Sequence, residues 1–212
     1  MDPSVRRSGL NVSLVMLLLF IVLSLYVYFH PITNFDIQVT QNLQSQSWAK
    51  PLLITNQIFR VAYFRIIYVI LIAAFIIVKR YSLSIFAIAA AFSELISSAI
   101  KEIVSRPRPV EQFANILDPT SGYSFISGHA LEYTILFGFL GYLALINIKT
   151  GMTRYILAAA FFLLPILVGL GRVYTGAHWV TDIIGSYILG GAILVSMICY
   201  CRRSFEPKRR FK

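Results

Sequence analysis

Six apolar stretches limit what this chain can become. They run from about 11 to 29, 61 to 78, 81 to 100, 129 to 147, 155 to 171 and 180 to 200. Each is long enough, or nearly so, to cross about 30 Å of hydrocarbon at about 1.5 Å per residue. A hydrophobic share of 58% and a mean hydropathy of +0.73 lie outside the range of a soluble globular chain. The expectation is an all-α polytopic membrane protein of six transmembrane helices, with residues 1–212 forming a single domain.

The first stretch follows Arg6 and Arg7, as a secretory signal would, but its apolar run is too long and no small-x-small cleavage site follows it. It reads as a retained span. Between the first two spans, Ile32, Phe35, Val39 and Leu43 recur at helical spacing. That predicts a short amphipathic helix at the interface, about 32–46, with Asn34 as its cap. Arg60 and Arg65, near the outer end of the second span, are expected to snorkel toward the headgroups. Cys199 and Cys201 are two residues apart, on different faces of the last helix, and cannot readily pair. No Cys/His cluster has metal spacing, and no Gly-rich nucleotide-type phosphate loop is present.

The formal net charge of +10 would suit nucleic acid, but its distribution suits a membrane. With the N-terminus inside, twelve of the nineteen basic residues fall on the inner side, including those of a basic cytoplasmic tail, 202–212. The other seven are Lys50, Arg60, Arg65, Lys101, Arg106, Arg108 and Arg172. The positive-inside rule therefore places both termini in the cytoplasm.

Against that bias stands a group of ionisable residues at one end of the bundle. Spans three and five end, and spans four and six begin, on the same side. Lys101, Arg108, His129, Arg172, His178 and Asp182 therefore meet at one face, the outer one in this orientation. Ionisable residues at the edge of a span are costly and usually functional. If a helix begins near His178, Asp182 lies on the same face, placed to accept a hydrogen bond from the imidazole and to orient it. Singly, each residue has a plainer reading: Lys101 complements a helix dipole, Arg108-Pro109 is a solvated turn, and the His-x₃-Asp pair edges a membrane turn. Together they crowd cations onto the side that topology otherwise depletes of them.

Lys101-x₆-Arg108-Pro109, Ser127-Gly128-His129 and Arg172-x₅-His178-x₃-Asp182 resemble, in order and in position on the span ends, the three signature motifs of the type 2 phosphatidic acid phosphatase superfamily. The motifs cover Lys101 to Asp182, and the six-span layout extends the likeness to nearly the whole chain. Two positions depart from it: Ile126 stands where the family usually has Pro, and Gly171 where it usually has Ser. The resemblance implies a metal-independent lipid phosphatase without a cofactor, its active site at the outer interface of a plasma membrane of bacterial type. Lys101, Arg108, Ser127, Gly128 and Arg172 would bind phosphate. His178 would be the nucleophile, Asp182 would orient it, and His129 would be the general acid. Implied substrates are phosphatidylglycerol phosphate, phosphatidic acid and an isoprenoid diphosphate such as undecaprenyl pyrophosphate. A phosphotransferase would use the same residues, and an inactive lipid-binding or scramblase-like protein is the reading from another class.

Glu132 has no role in the motifs. It lies three residues after His129, one turn deeper, where a carboxylate is costly unless partnered. It is either protonated and hydrogen-bonded to a neighbour or paired with a cation of the site. In a sharper version it acts as a modulator that keeps His129 protonated.

The orientation has a direct check. In intact cells Asn115→Cys should react with an impermeant maleimide while Thr150→Cys should not, and the reverse pattern would invert the topology.

Overall fold

The computed structural model describes residues 3–58, 61–77, 79, 81–149 and 151–205. Among these residues all regular structure is helical: α1 (Pro3–Phe29), α2 (Asn34–Ser45), α3 (Leu52–Ile58), α4 (Val61–Ile77), α5 (Tyr81–Val104), α6 (Gly128–Asn147), α7 (Gly151–Tyr174) and α8 (Val180–Phe205). A single 3-10 turn, Ser47–Ala49, separates α2 from α3. Five helices are long and apolar enough to cross a membrane, namely α1, α5, α6, α7 and α8. The second expected span forms α4, which at 17 residues is shorter, with its apolar part at Tyr68–Ile77. Arg60, Arg80, Thr150 and the tail beyond Phe205 lie outside the described residues, as do the side chains of Arg65 and Cys201; Cys199 is buried as a free thiol.

α6 is the centre of the bundle. Its most apolar stretch is 61% buried, against 17% for that of α1, most of whose leucines and valines face outward as lipid-facing side chains do. α5, α7 and α8 pack around α6, and α1 packs on α8. Lipid is as apolar as leucine, so close backbone approach rather than exclusion from water holds such helices together. Glycines provide it here. A Cβ on Gly190 of α8 would stand 2.9 Å from the Thr134 side chain of α6, and one on Gly169 of α7 would meet the Tyr187 hydroxyl at 1.9 Å. Phe125, Ile126, Leu131, Tyr133 and Ile135 fill the core below the polar end.

α2 differs from its expected form. Thr33, not Asn34, caps it: the Thr33 hydroxyl oxygen accepts from the Asp36 N–H. Nor does the Ile32, Phe35, Val39, Leu43 stripe define its inward face, since Phe35 is 53% exposed while Asp36 and Thr40 are wholly buried. Carboxylate chemistry, described below, outweighs the apolar stripe. Gln44 fastens the helix over the end of the bundle, with Nε2 donating to the carbonyls of Asn115 and Tyr174 at 2.8 Å each and Oε1 accepting from Asn115 N at 2.9 Å.

The connection from Ser105 to Ser127 has no helix or strand of its own, and its backbone is tied down instead. Leu117 N and Asp118 N both donate to Thr175 O, and Ser124 N donates to Arg106 O. Gly176, at φ +70, makes the turn after α7 and leaves no room for a Cβ, which would stand 2.5 Å from Asn115 O. A long, irregular but anchored loop of this kind is characteristic of functional segments.

Candidate active site

The C-terminal ends of α5 and α7, the N-terminal end of α6 and the 105–127 loop enclose a cavity of about 210 Å³. Its wall carries Lys101, Arg108, His129, Arg172 and His178, with Gly128, Glu132, Thr120 and Ser121. Five of the six ionisable residues expected to meet at one face line this single space; the sixth, Asp182, lies behind His178, wholly buried.

His178 is 2% exposed, in the turn just before α8. Its Nδ1 stands 3.4 Å from Asp182 Oδ2, and its Nε2 stands 3.4 Å from Arg108 Nη1. With a carboxylate on the Nδ1 side, the proton resides on Nδ1 and the Nε2 lone pair is left facing the cations. Burial pushes the imidazole down to about 3, against the hydrogen bond it donates to Asp182, which raises it, while Arg172 and Arg108 add to the lowering. The imidazole of His178 is therefore neutral at neutral pH.

Asp182 is placed by the start of its own helix. It is the third residue of α8, and its Oδ2 accepts from the N–H of Trp179, the residue before the helix, at 2.9 Å. This is the acidic half of a capping box, and it suits the positive end of the helix dipole. The His178 contact is the longest of Asp182's bonds. Arg106 Nη1 makes a shorter one, and its other side reaches Asp36 of α2, Nη2 to Oδ2 at 2.6 Å. All three side chains are wholly buried.

The other cations are held in fixed frames. Arg108 donates from Nε to Gly122 O at 3.0 Å and from Nη1 to Ala177 O at 2.6 Å. Burial and the nearby Arg172 lower its proton affinity, against Asp182 and Asp118, which raise it. Arg172 Nη1 donates to Asp118 Oδ2 at 2.8 Å and to Asn56 Oδ1 at 2.5 Å. Arg172 Nε is buried with no hydrogen-bond partner among the described residues. Such a donor is costly unless something else satisfies it, and an anion in the cavity is the natural acceptor.

Ser127 and Gly128 open α6 differently from expectation. Ser127 is not part of the cavity wall: its hydroxyl oxygen caps α6 by accepting from Ala130 N at 3.4 Å, and its carbonyl accepts from Ser186 Oγ at 3.0 Å. Gly128 does face the cavity, and a Cβ there would come within 3.1 Å of Ser97 Oγ on α5. The first N–H groups of a helix have no partner within it, so this end offers the cavity backbone donors in addition to the cations. Glu132 lines the cavity at 3% exposure, with Tyr68 of α4 and its own neighbour Tyr133 within its electrostatic reach. The charged groups that act on His129 are Arg172, His178, Lys101 and Asp118, so the sharper version, with Glu132 acting on His129, gains no support. The two departures from the motif pattern have a packing context. Ile126 is wholly buried in the core, and at Gly171 a Cβ would stand 2.4 Å from Thr55 Oγ1, so α3 occupies the space a Ser would need.

Sequence reasoning missed Asp36, Arg106, Asn56 and Asp118. Arg106 had a signal, as the first Arg of Arg106-Pro107-Arg108-Pro109 in a chain with only 13% charged residues. Asp36 had a weaker one, as the lone acid of an otherwise uncharged helix.

A sequence model of the PAP2 superfamily matches residues 82–206. Phosphatidylglycerophosphatase B of Bacillus subtilis (strain 168) is 30% identical over 123 residues, covering 56% of this chain and 55% of that protein. Lipid phosphate phosphatase delta of Arabidopsis thaliana is 31% identical over 113 residues, covering 49% of this chain and 27% of that protein. The matched stretch thus spans about half the length of the first relative and less of the second. The crystal structure of a transmembrane PAP2 type phosphatidylglycerolphosphate phosphatase from Bacillus subtilis shares the fold, with a TM-score of 0.75 over 94% of this chain and 98% of that one at 20% identity.

The buried Arg106 makes a prediction independent of activity. Arg106→Met leaves Asp36 and Asp182 facing each other without a counterion, and breaking a buried pair in this way costs about 3 to 5 kcal/mol. Thermal unfolding in detergent should show a large drop in midpoint, whereas an unchanged midpoint would mean that the two carboxylates do not depend on Arg106.

Proposed function

Because the chain belongs to the PAP2 superfamily, we propose that it hydrolyses a lipid phosphate or diphosphate monoester at this cavity through a phosphohistidine intermediate. The observation that carries the reading is the imidazole of His178, neutral, with a carboxylate on one nitrogen and cations around the other. Lys101, Arg108 and Arg172, with the N–H groups at the start of α6, hold the phosphoryl oxygens. Ser127 contributes by fixing that helix start. Nε2 of His178 attacks phosphorus in line, the bond from phosphorus to the lipid oxygen breaks, and His129 gives the leaving oxygen its proton. The bound phosphate brings negative charge into the cavity, which favours the protonated form of His129. Water then attacks the phosphohistidine, His129 takes up the water's proton, and phosphate and free His178 are released.

Phosphoryl transfer requires mainly positioning and charge stabilisation, and three fixed cations supply here what a metal ion supplies elsewhere. With α4 as a sixth span, about 26 Å long at 1.5 Å per residue, both termini lie in the cytoplasm and the cavity opens at the outer interface. The positive-inside distribution of the basic residues supports that orientation. A substrate whose headgroup lies at that depth keeps its tails in the bilayer, which suits phosphatidylglycerol phosphate, phosphatidic acid or an isoprenoid diphosphate such as undecaprenyl pyrophosphate.

Purified protein should release phosphate from at least one of these three lipids in detergent, with EDTA present, and His178→Ala should release none while keeping the unfolding midpoint of the unaltered chain. Rescue by Mg²⁺ of an EDTA-inactivated enzyme would show that the charge-stabilising groups are misassigned. A chain that binds the lipids without releasing phosphate would be an inactive lipid-binding member, and transfer to an added lipid acceptor would mark a phosphotransferase.

A further inference from the structure

Asp182 is assigned to orient His178 and to stabilise the positive charge that its ring acquires on attack. Its shortest hydrogen bond, however, is to the Arg106 guanidinium. A carboxylate bound to a guanidinium is a neutral pair, and the pair's field at His178 would be weak. The remedy lies on α2. Asp36 Oδ2 accepts from the far nitrogen of Arg106 at 2.6 Å, so one cation is shared by two carboxylates and the group keeps one net negative charge.

We propose that Asp36 is a positioning residue for phosphoryl transfer: by binding the far side of Arg106, it leaves the charge of Asp182 available to His178. The proposal rests on the function set out above. α2 is thereby an electrostatic part of the active site and more than an interfacial anchor.

The surroundings are built for this arrangement. Thr181, next to Asp182 on α8, donates from its N–H to Asp36 Oδ1 at 3.0 Å and from its hydroxyl to the same oxygen at 2.9 Å. The same Thr181 oxygen accepts from Arg106 Nη1 at 2.7 Å. Arg106 Nε donates to Pro31 O at 2.8 Å, and the Thr33 hydroxyl donates to Asp36 Oδ2 at 2.8 Å. The Arg106 guanidinium also lies over the Trp179 ring, 5.9 Å from its centroid, and the Trp179 N–H holds the second oxygen of Asp182. Thus Asp36, Arg106, Thr181 and Asp182 form a buried relay that ends on His178. In such a low-dielectric setting a charge at one end is felt at the other.

The test is a mutant cycle on phosphate release, using whichever of phosphatidic acid, phosphatidylglycerol phosphate or undecaprenyl pyrophosphate the unaltered chain turns over fastest. Asp36→Asn keeps the shape and the acceptor oxygen but removes the charge. It should lower kcat by about 10- to 100-fold, the scale on which outer partners of a functional histidine act, with KM unchanged because Asp36 touches no phosphate-binding group. The loss should nearly vanish in an Asp182→Asn background, since Asp36 acts through Asp182. Should Asp36→Asn fail to fold, Thr181→Val, which removes the bridging hydroxyl at constant volume, should lower kcat several-fold at constant KM. An unchanged kcat in whichever variant folds, or losses that multiply in the double variant, would overturn the relay while leaving the proposed function standing. Full turnover by Asp182→Asn alone would instead overturn the role given to the His178–Asp182 pair, and the relay with it.

Discussion

Arg106 places one guanidinium between two carboxylates in the interior of a membrane protein, and the polar end of the bundle is arranged around it. Its four partners come from three segments: Pro31 before α2, Asp36 on α2, and Thr181 and Asp182 at the start of α8. Removing such charges from water is expensive, and the pairing does not by itself yield net stability. What it enforces is uniqueness of arrangement. α2 cannot slide or rotate over the bundle without leaving a buried charge alone, and α8 cannot change its starting residue without moving Asp182. The ionic cluster therefore fixes the position of His178 by fixing everything behind it.

On the cavity side of His178 the electrostatics are inverted. Lys101, Arg108 and Arg172 converge on a space of about 210 Å³, with Asp118 and Asn56 occupying one edge of Arg172. Behind the imidazole lie two carboxylates sharing one guanidinium, and in front of it, beside Nε2, stands the guanidinium of Arg108. That arrangement suits a nucleophile that must acquire positive charge while attacking an anion. Burial holds His178 neutral, and an anion bound in the cavity would offset the cations that oppose its ionisation.

Much of this was legible in the chain. The apolar stretches gave each long helix to within several residues, because helix spans in lipid tolerate few polar interruptions, and the alternation of their direction brought Lys101, Arg108, His129, Arg172 and His178 to one end. What escaped depends on contacts between segments far apart in sequence. Asp36 and Asp182 are separated in sequence by α3 to α7, and nothing local to either indicates that Arg106 joins them. The inward face of α2 was misread for a related reason: apolar periodicity assumes that burial is driven by apolar side chains, and here a charged one is drawn in by its partner. Ser127, read from its motif as a phosphate ligand, also caps α6, its hydroxyl oxygen accepting from the N–H of Ala130. Gly171, where the family usually has Ser, is the site where α3 packs against α7 through Thr55.

The central claim is that Nε2 of His178 forms a covalent bond to phosphorus. Its most direct test is rapid quenching of a single turnover with phosphate-labelled lipid, followed by mapping of the label. The account predicts a base-stable, acid-labile phosphoramidate on the peptide containing His178, absent in His178→Ala. Label on any other residue, or none at any time before phosphate is released, would contradict it.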